Sequence, residues 1–371
     1  MTGLRQLCIG LTALSLATGA AAKTEPRAGL ALAQAEAPSP ATAASGLPAG
    51  WLQQAWEKYK QRFVRSGRVI DDVNKISHSE GQGYAMLIAV KAGDRAGFDE
   101  VWRWTRRELY VDQSGLAAWQ WNEKSNPNVT DRNNASDGDI LIAWALVEAG
   151  AKWRSAEYVD AARAIVSALG RLNTAQTPSG PALVPGRVGF AAEDHPDGQV
   201  LNLSYWVFPA FDRLKGLGPE TDWSEIQATG LRLIRESRFG PMRLPADWIA
   251  IGSAPSAPAK NFPARFSYNA IRIPLYLAWA KIPQPDLLRP FAGLWNEKLN
   301  LGPFEVDLST GSALDTFGGT GFKAVVATAK CALDKQKLDP SLRSVEFGFY
   351  YPTTLHILSL IALQERYPEC L

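Results

Sequence analysis

Cysteine and histidine are scarce in this chain of 371 residues, with three of each. Cys8 lies in an apolar N-terminal run, which leaves Cys331 and Cys370 in the remainder. Two thiols cannot form a disulfide framework. They allow one bridge, and spacing alone does not say whether they meet. His78, His195 and His356 are scattered, with no HxxxH or CxxC spacing, so no metal site is expected and no cofactor is implied. Charge is also lacking in either direction. The 39 Lys and Arg nearly balance the 37 Asp and Glu, and no basic run occurs, which argues against a nucleic-acid partner.

The N-terminus has a secretory pattern. Arg5 supplies a positive start, Leu7 to Ala17 a largely apolar core, and Ala20-Ala21-Ala22 a small-residue cleavage site. That core is too short and too rich in small residues for a membrane span. Ala, Pro and Ser then dominate as far as Gly50, a composition that cannot bury a core. The expected division is a signal peptide over 1–22, a tether over 23–50 and one domain over 51–371. After signal cleavage no membrane span is expected, and the protein is expected in the periplasm or secreted.

Within that domain, helical periods dominate. Trp51 to Arg65, Arg95 to Tyr110, Ala156 to Leu172 and Asp222 to Arg238 are amphipathic. Between them lie segments apolar on nearly every face: Tyr84 to Val90, Ile140 to Ala149, Ser204 to Leu214, Ile271 to Ala280 and Thr353 to Leu363. The alternation suits an outer wet layer and an inner dry layer of helices. Extended pieces are expected only in loops, around Ala182 to Phe190 and Phe304 to Leu308.

Polar motifs stand at the starts of the inner segments. Glu80 precedes one apolar run, Asp137 and Asp139 another, and Ser204-Tyr205 and Tyr268-Asn269 two more. If the inner helices run the same way, these groups converge on one face. A carboxyl at the mouth of a buried helix is removed from water, which favours the protonated form that a general acid needs. The plainer reading is local: Ser79 and Asp137 as helix caps, with Glu80 answering the helix dipole. The two Asp residues lack the ligand series of a calcium loop. The 13 Trp residues are mostly core filling, but those beside polar groups, Trp119 and Trp248 among them, suit a cleft in which flat rings stack on sugars.

Two segments, Ser79-Glu80-Gly81-Gln82-Gly83-Tyr84 and Asn133-Asn134-Ala135-Ser136-Asp137-Gly138-Asp139, resemble the signature regions of glycoside hydrolase family 8. Leu201 to Tyr205, Arg243 to Trp248 and Arg265 to Tyr276 extend the likeness over about Trp51 to Pro368. It is nearest to endo-β-1,4-glucanases that accompany bacterial cellulose synthases. The resemblance implies an all-α fold, an (α/α)6 barrel, and hydrolysis of β-1,4-glucan chains with inversion. It also implies a partner, the cellulose synthase complex. Carried over residue by residue, Glu80 matches the general acid and Asp137 an acid that holds the distorted sugar. Trp119, Tyr205, Tyr268 and Arg272 match cleft positions, and Trp248 suits a cleft wall.

One position departs from this pattern. Where the similar enzymes carry a catalytic Asp, this chain has Asn269. An amide cannot take a proton as a carboxylate does, although it can hydrogen-bond a water. Asp247 is the nearest acid in sequence, and its neighbour Trp248 suggests a wall instead. The base is therefore unassigned by sequence. A catalytically weakened glucan-binding protein is the alternative class, and a chitosanase or xylanase of the same fold is another.

Overall fold

The computed structural model describes residues 46–252, 255–295 and 302–371. The expected signal peptide and nearly all of the expected tether lie outside the described residues. Eleven α-helices are present among them. In chain order they are α1 (Trp51–Phe63), α2 (Ser79–Ala92), α3 (Arg95–Leu109), α4 (Ser136–Trp153), α5 (Ala156–Leu172) and α6 (Phe208–Leu214). Then follow α7 (Trp223–Glu236), α8 (Arg272–Trp279), α9 (Pro285–Ala292), α10 (Thr320–Asp334) and α11 (Tyr350–Arg366). No helix among the described residues is long and apolar enough to cross a membrane.

The two helix types of the sequence are both present. α3 buries Phe98, Val101, Trp102, Trp104 and Leu109 on one stripe and turns its arginines outward. Asp94 starts it by accepting the Gly97 N–H at 3.0 Å. In α2, by contrast, every residue from Gly81 to Val90 is buried, and in α4 every residue from Ser136 to Leu146. Each fully buried Leu or Ile there contributes about 1.5–3 kcal/mol of hydrophobic stabilisation.

The buried helices pack in succession: α2 on α4, α4 on α6, α6 on α8, α8 on α10, α10 on α11, and α11 back on α2. The amphipathic ones lie against them, with α1 on α2 and α11, α3 on α2, α5 on α4, α7 on α6, and α9 on α8 and α10. The contact between α2 and α4 is especially close. A Cβ at Gly138 would overlap Ser79 Oγ, and one at Gly83 would sit 2.6 Å from Leu141 Cβ. Glycine at these two positions is what brings the Glu80 and Asp137 ends together.

Strands are short and confined to connections, forming small antiparallel two- and three-stranded sheets. The extended pieces expected near Ala182 and Phe304 are the strands Gly180–Leu183 and Phe304–Asp307. Cys331 on α10 and Cys370 beyond α11 form a disulfide.

Candidate active site

The starts of α2 and α4 are joined through one backbone segment. Strand Ile76–His78 pairs antiparallel with Gln120–Asn122, which sets Trp119 beside the first residue of α2. Ser79 N–H donates to the Trp119 carbonyl at 3.1 Å, and Trp119 N–H donates to the Asn133 carbonyl at 2.9 Å. Ser136 N–H donates to the Pro185 carbonyl at 2.8 Å. Both signature segments are therefore fixed by main-chain bonds, leaving their acidic side chains free for other work.

Neither local capping reading holds. The cap of α2 is His78, whose Nδ1 accepts the Gly81 N–H at 3.0 Å, and not Ser79. Ala135 occupies the cap position of α4, and Asp137 accepts only the adjacent Gly138 N–H at 2.8 Å. Side chains at these two mouths are committed instead to a cation on α8.

That cation is Arg272, only 2% exposed as a side chain. Its Nη1 donates to Asp137 Oδ2 at 2.7 Å and lies 3.0 Å from Glu80 Oε1. Its Nη2 donates to Ser204 Oγ at 2.8 Å and to Asn269 Oδ1 at 3.0 Å. One guanidinium thus gathers groups from α2, α4, the turn before α6 and the start of α8. The planar fork of arginine suits this, since its N–H groups point in fixed directions. The Glu80 contact is an ion pair without the alignment of a hydrogen bond. Glu80 is 21% exposed and Asp137 1%. Glu80 is therefore the more exposed of the two carboxyls, with Asp137 and Arg272 buried beside it. Arg272, expected to line the cleft, is taken up by protein partners.

Burial raises Asp137 from 3.8 to about 6; Arg272 pulls it down and the charge of Glu80 pushes it up again. Asp139 has a different task. It is fully buried, its Oδ1 accepts the Ala117 N–H at 2.8 Å, and its Oδ2 accepts Asn134 Nδ2 at 2.9 Å. Burial pushes it to about 7, against the pull of those two bonds. It holds the loop before α4 to the loop after α3. Sequence reading missed this, because spacing shows two acids but not that they face opposite ways.

Asp247 is likewise more than a wall residue. Its Oδ1 accepts the N–H groups of Ser267 at 3.0 Å and Ala270 at 2.8 Å. It therefore grips the turn that carries Tyr268 and Asn269. Burial raises it to about 6 despite bonds from the N–H groups of Ala270, Ser267 and Asn269.

Aromatic rings flank the carboxylates. Tyr205 has the Arg272 guanidinium 5.5 Å from its ring centre and Trp248 at 6.1 Å. Trp248 stacks between Phe262 at 4.7 Å and Phe190 at 5.6 Å. Tyr268 meets Phe317 at 5.0 Å and Phe322 at 5.9 Å, and its carbonyl accepts the Tyr351 hydroxyl at 2.7 Å. Trp119 is half-buried, and its Nε1–H donates to Asp131 at 2.9 Å. Phe190, Phe262 and Phe317 carried no motif in the sequence; only the fold brings them beside the others.

Known proteins share this arrangement of sequence and fold. The family described as glycosyl hydrolases family 8 matches residues 34–365. A probable endoglucanase of Novacetimonas hansenii is 39% identical over 321 residues, covering 85% of this chain and 92% of its own length. An endoglucanase of Cellulomonas uda is 40% identical over 253 residues, covering 67% of this chain and 69% of its own. The solved endo-β-1,4-glucanase CMCax from Acetobacter xylinum superposes with a TM-score of 0.77 at 36% identity, covering 86% of this chain and 99% of that one. With the family match spanning most of its length, the chain belongs to glycosyl hydrolases family 8, a family of inverting glycoside hydrolases.

Proposed function

We propose that this protein is an exported endo-β-1,4-glucanase that cleaves cellulose chains with inversion. The observation that carries the reading is the pair Glu80 and Asp137, brought from two helix starts onto one buried arginine. Glu80, the more exposed of the two, gives its proton to the glycosidic oxygen as the bond breaks. Asp137, fixed by Arg272 beside it, holds the sugar at the cleavage point and favours its distortion. Tyr205 on one side, Tyr268 on another, and Trp119 offer flat faces for successive glucose rings, with Trp248 backing Tyr205.

The finer fold reading is an (α/α)6 barrel, supported by the closed succession of buried helices with amphipathic helices outside it. Export to the periplasm or medium is supported by the Cys331–Cys370 disulfide, since such bonds persist in oxidising compartments. The named relatives act on β-1,4-glucan or are called endoglucanases, which favours cellulose over chitosan or xylan. Service to a cellulose synthase complex belongs to the same proposal.

A second reading rests on Asn269. The carboxamide oxygen is held by Arg272, so a glucan-binding protein with weak chemistry is the competing class. Reducing-end release from carboxymethylcellulose separates the two. The enzyme reading predicts turnover by the wild type and a loss of about 10²–10⁴-fold in Glu80→Gln. Bound glucan without turnover would establish the second.

A further inference from the structure

Inverting hydrolysis needs a second group that takes a proton from the attacking water, on the face of the sugar opposite the acid. Asn269 does not supply it. Its Oδ1 faces the Arg272 guanidinium, which only donates, so its Nδ2 is the end left for the cleft. That end also only donates. It can orient a water but cannot take its proton.

We propose that Asp247 is the carboxylate that takes this proton. The inference rests on the hydrolase reading above. Arg272 divides the site: Nη1 faces Glu80 and Asp137, and Nη2 faces Ser204 and Asn269. Asp247 belongs to the Nη2 side, bound through Oδ1 to the turn that carries Asn269. Arg272 thus links the two carboxyls: Glu80 pairs with its Nη1, and Asn269, on the turn that Asp247 holds, accepts from its Nη2.

A carboxylate has about four acceptor positions. The N–H groups of Ser267, Asn269 and Ala270 use three at Asp247, leaving room for a water at this half-buried side chain. Three other carboxylates of this region each accept from a side chain, whereas the bonds to Asp247 come from main-chain N–H groups. Asp137 is held by Arg272, Glu305 accepts Ser267 Oγ at 2.5 Å beside Tyr268, and Asp131 holds Trp119. In the step itself, the water oxygen bonds to the anomeric carbon as the glycosidic bond breaks. Glu80 protonates the departing oxygen, and the water proton passes to Asp247. Asp247 then releases its proton to solvent, and Glu80 takes one proton back from solvent.

The test is Asp247→Asn, whose remaining oxygen can still accept the Ser267 and Ala270 N–H groups. With cellohexaose as substrate, kcat should fall about 10²–10⁴-fold with little change in KM or thermal midpoint. The acid limb of the kcat/KM profile, expected near pH 6, should disappear. Asn269→Asp in the Asp247→Asn background should recover activity, because the new carboxylate stands on the same side of Arg272. Asn269→Asp alone offers a reading independent of whether Asp247→Asn folds. With Asp247 already the acceptor, a second carboxylate there should not raise kcat, whereas a rise of roughly a hundredfold or more would overturn the proposal. Wild-type kcat in folded Asp247→Asn would overturn it too. An inactive wild type would instead overturn the hydrolase reading on which it stands.

Discussion

Replacing Arg272 by methionine removes the one cation that Glu80 and Asp137 share. Asp137 is 1% exposed and, among the described residues, receives its only side-chain bond from Arg272. Stranding one partner of a buried pair costs about 3–5 kcal/mol. Urea titration should show that loss as a lower midpoint. Adding Asp137→Asn removes the stranded charge, so the double variant should be more stable than the sum of the two single losses, by at least about 1 kcal/mol. The pH dependence should also change. Asp137 titrates at about 6 in the folded protein against an ordinary 3.8, so the folded state binds the extra proton between those values. Its contribution to stability is full at low pH and is lost as pH rises through 6. Arg272 holds that value down, so in Arg272→Met the fall should extend above pH 6. Losses that add to within about 0.5 kcal/mol, with an unchanged pH slope, would refute the coupling.

Two further outcomes follow from the same geometry. Trp119→Ala should raise KM for cello-oligosaccharides through lost stacking, whereas Asp137→Ala should lower kcat more than it weakens binding; equal effects of both on KM alone would remove this division. Asp139→Ala leaves the Ala117 N–H unpaired in the core, at about 1–3 kcal/mol. Asp139 is raised to about 7 when folded, so its contribution fades as pH rises through 7. The deficit of that variant should therefore shrink between pH 5 and 8, as read from thermal midpoints; a deficit that grew would mean Asp139 is stabilised as a carboxylate.

The helical layers were legible because burial leaves a mark on periodicity. α5 runs over Ala156–Leu172 as its stripe predicts, and the unbroken apolar runs of α2 and α4 are buried on every face. Two helices were not read from the sequence. α9 is eight residues long and contains Pro290, and α10 is built largely of Ala, Thr, Val and Lys behind a Gly start. Glu80 and Asp137 were legible as acids before buried helices, yet their link was not. It passes through Arg272, 135 residues beyond Asp137, and no local pattern encodes that distance. Asp247 was misread for the same reason. Its neighbour Trp248 stacks on Phe262, while the carboxylate turns to the backbone of residues 267–270. The glycines at 83 and 138 stand in the signature segments, and only the packing of α2 on α4 shows why a side chain there would not fit.

The central claim is hydrolysis with inversion, by Glu80 on one face of the sugar and water on the other. Proton NMR of the first products from cellopentaose tests it directly, because the anomer at the new reducing end records the face of attack before mutarotation. The α-anomer should appear first and equilibrate afterwards, and Glu80→Gln should yield none on the same timescale. An initial β-anomer, or product formed at the wild-type rate by Glu80→Gln, would contradict it.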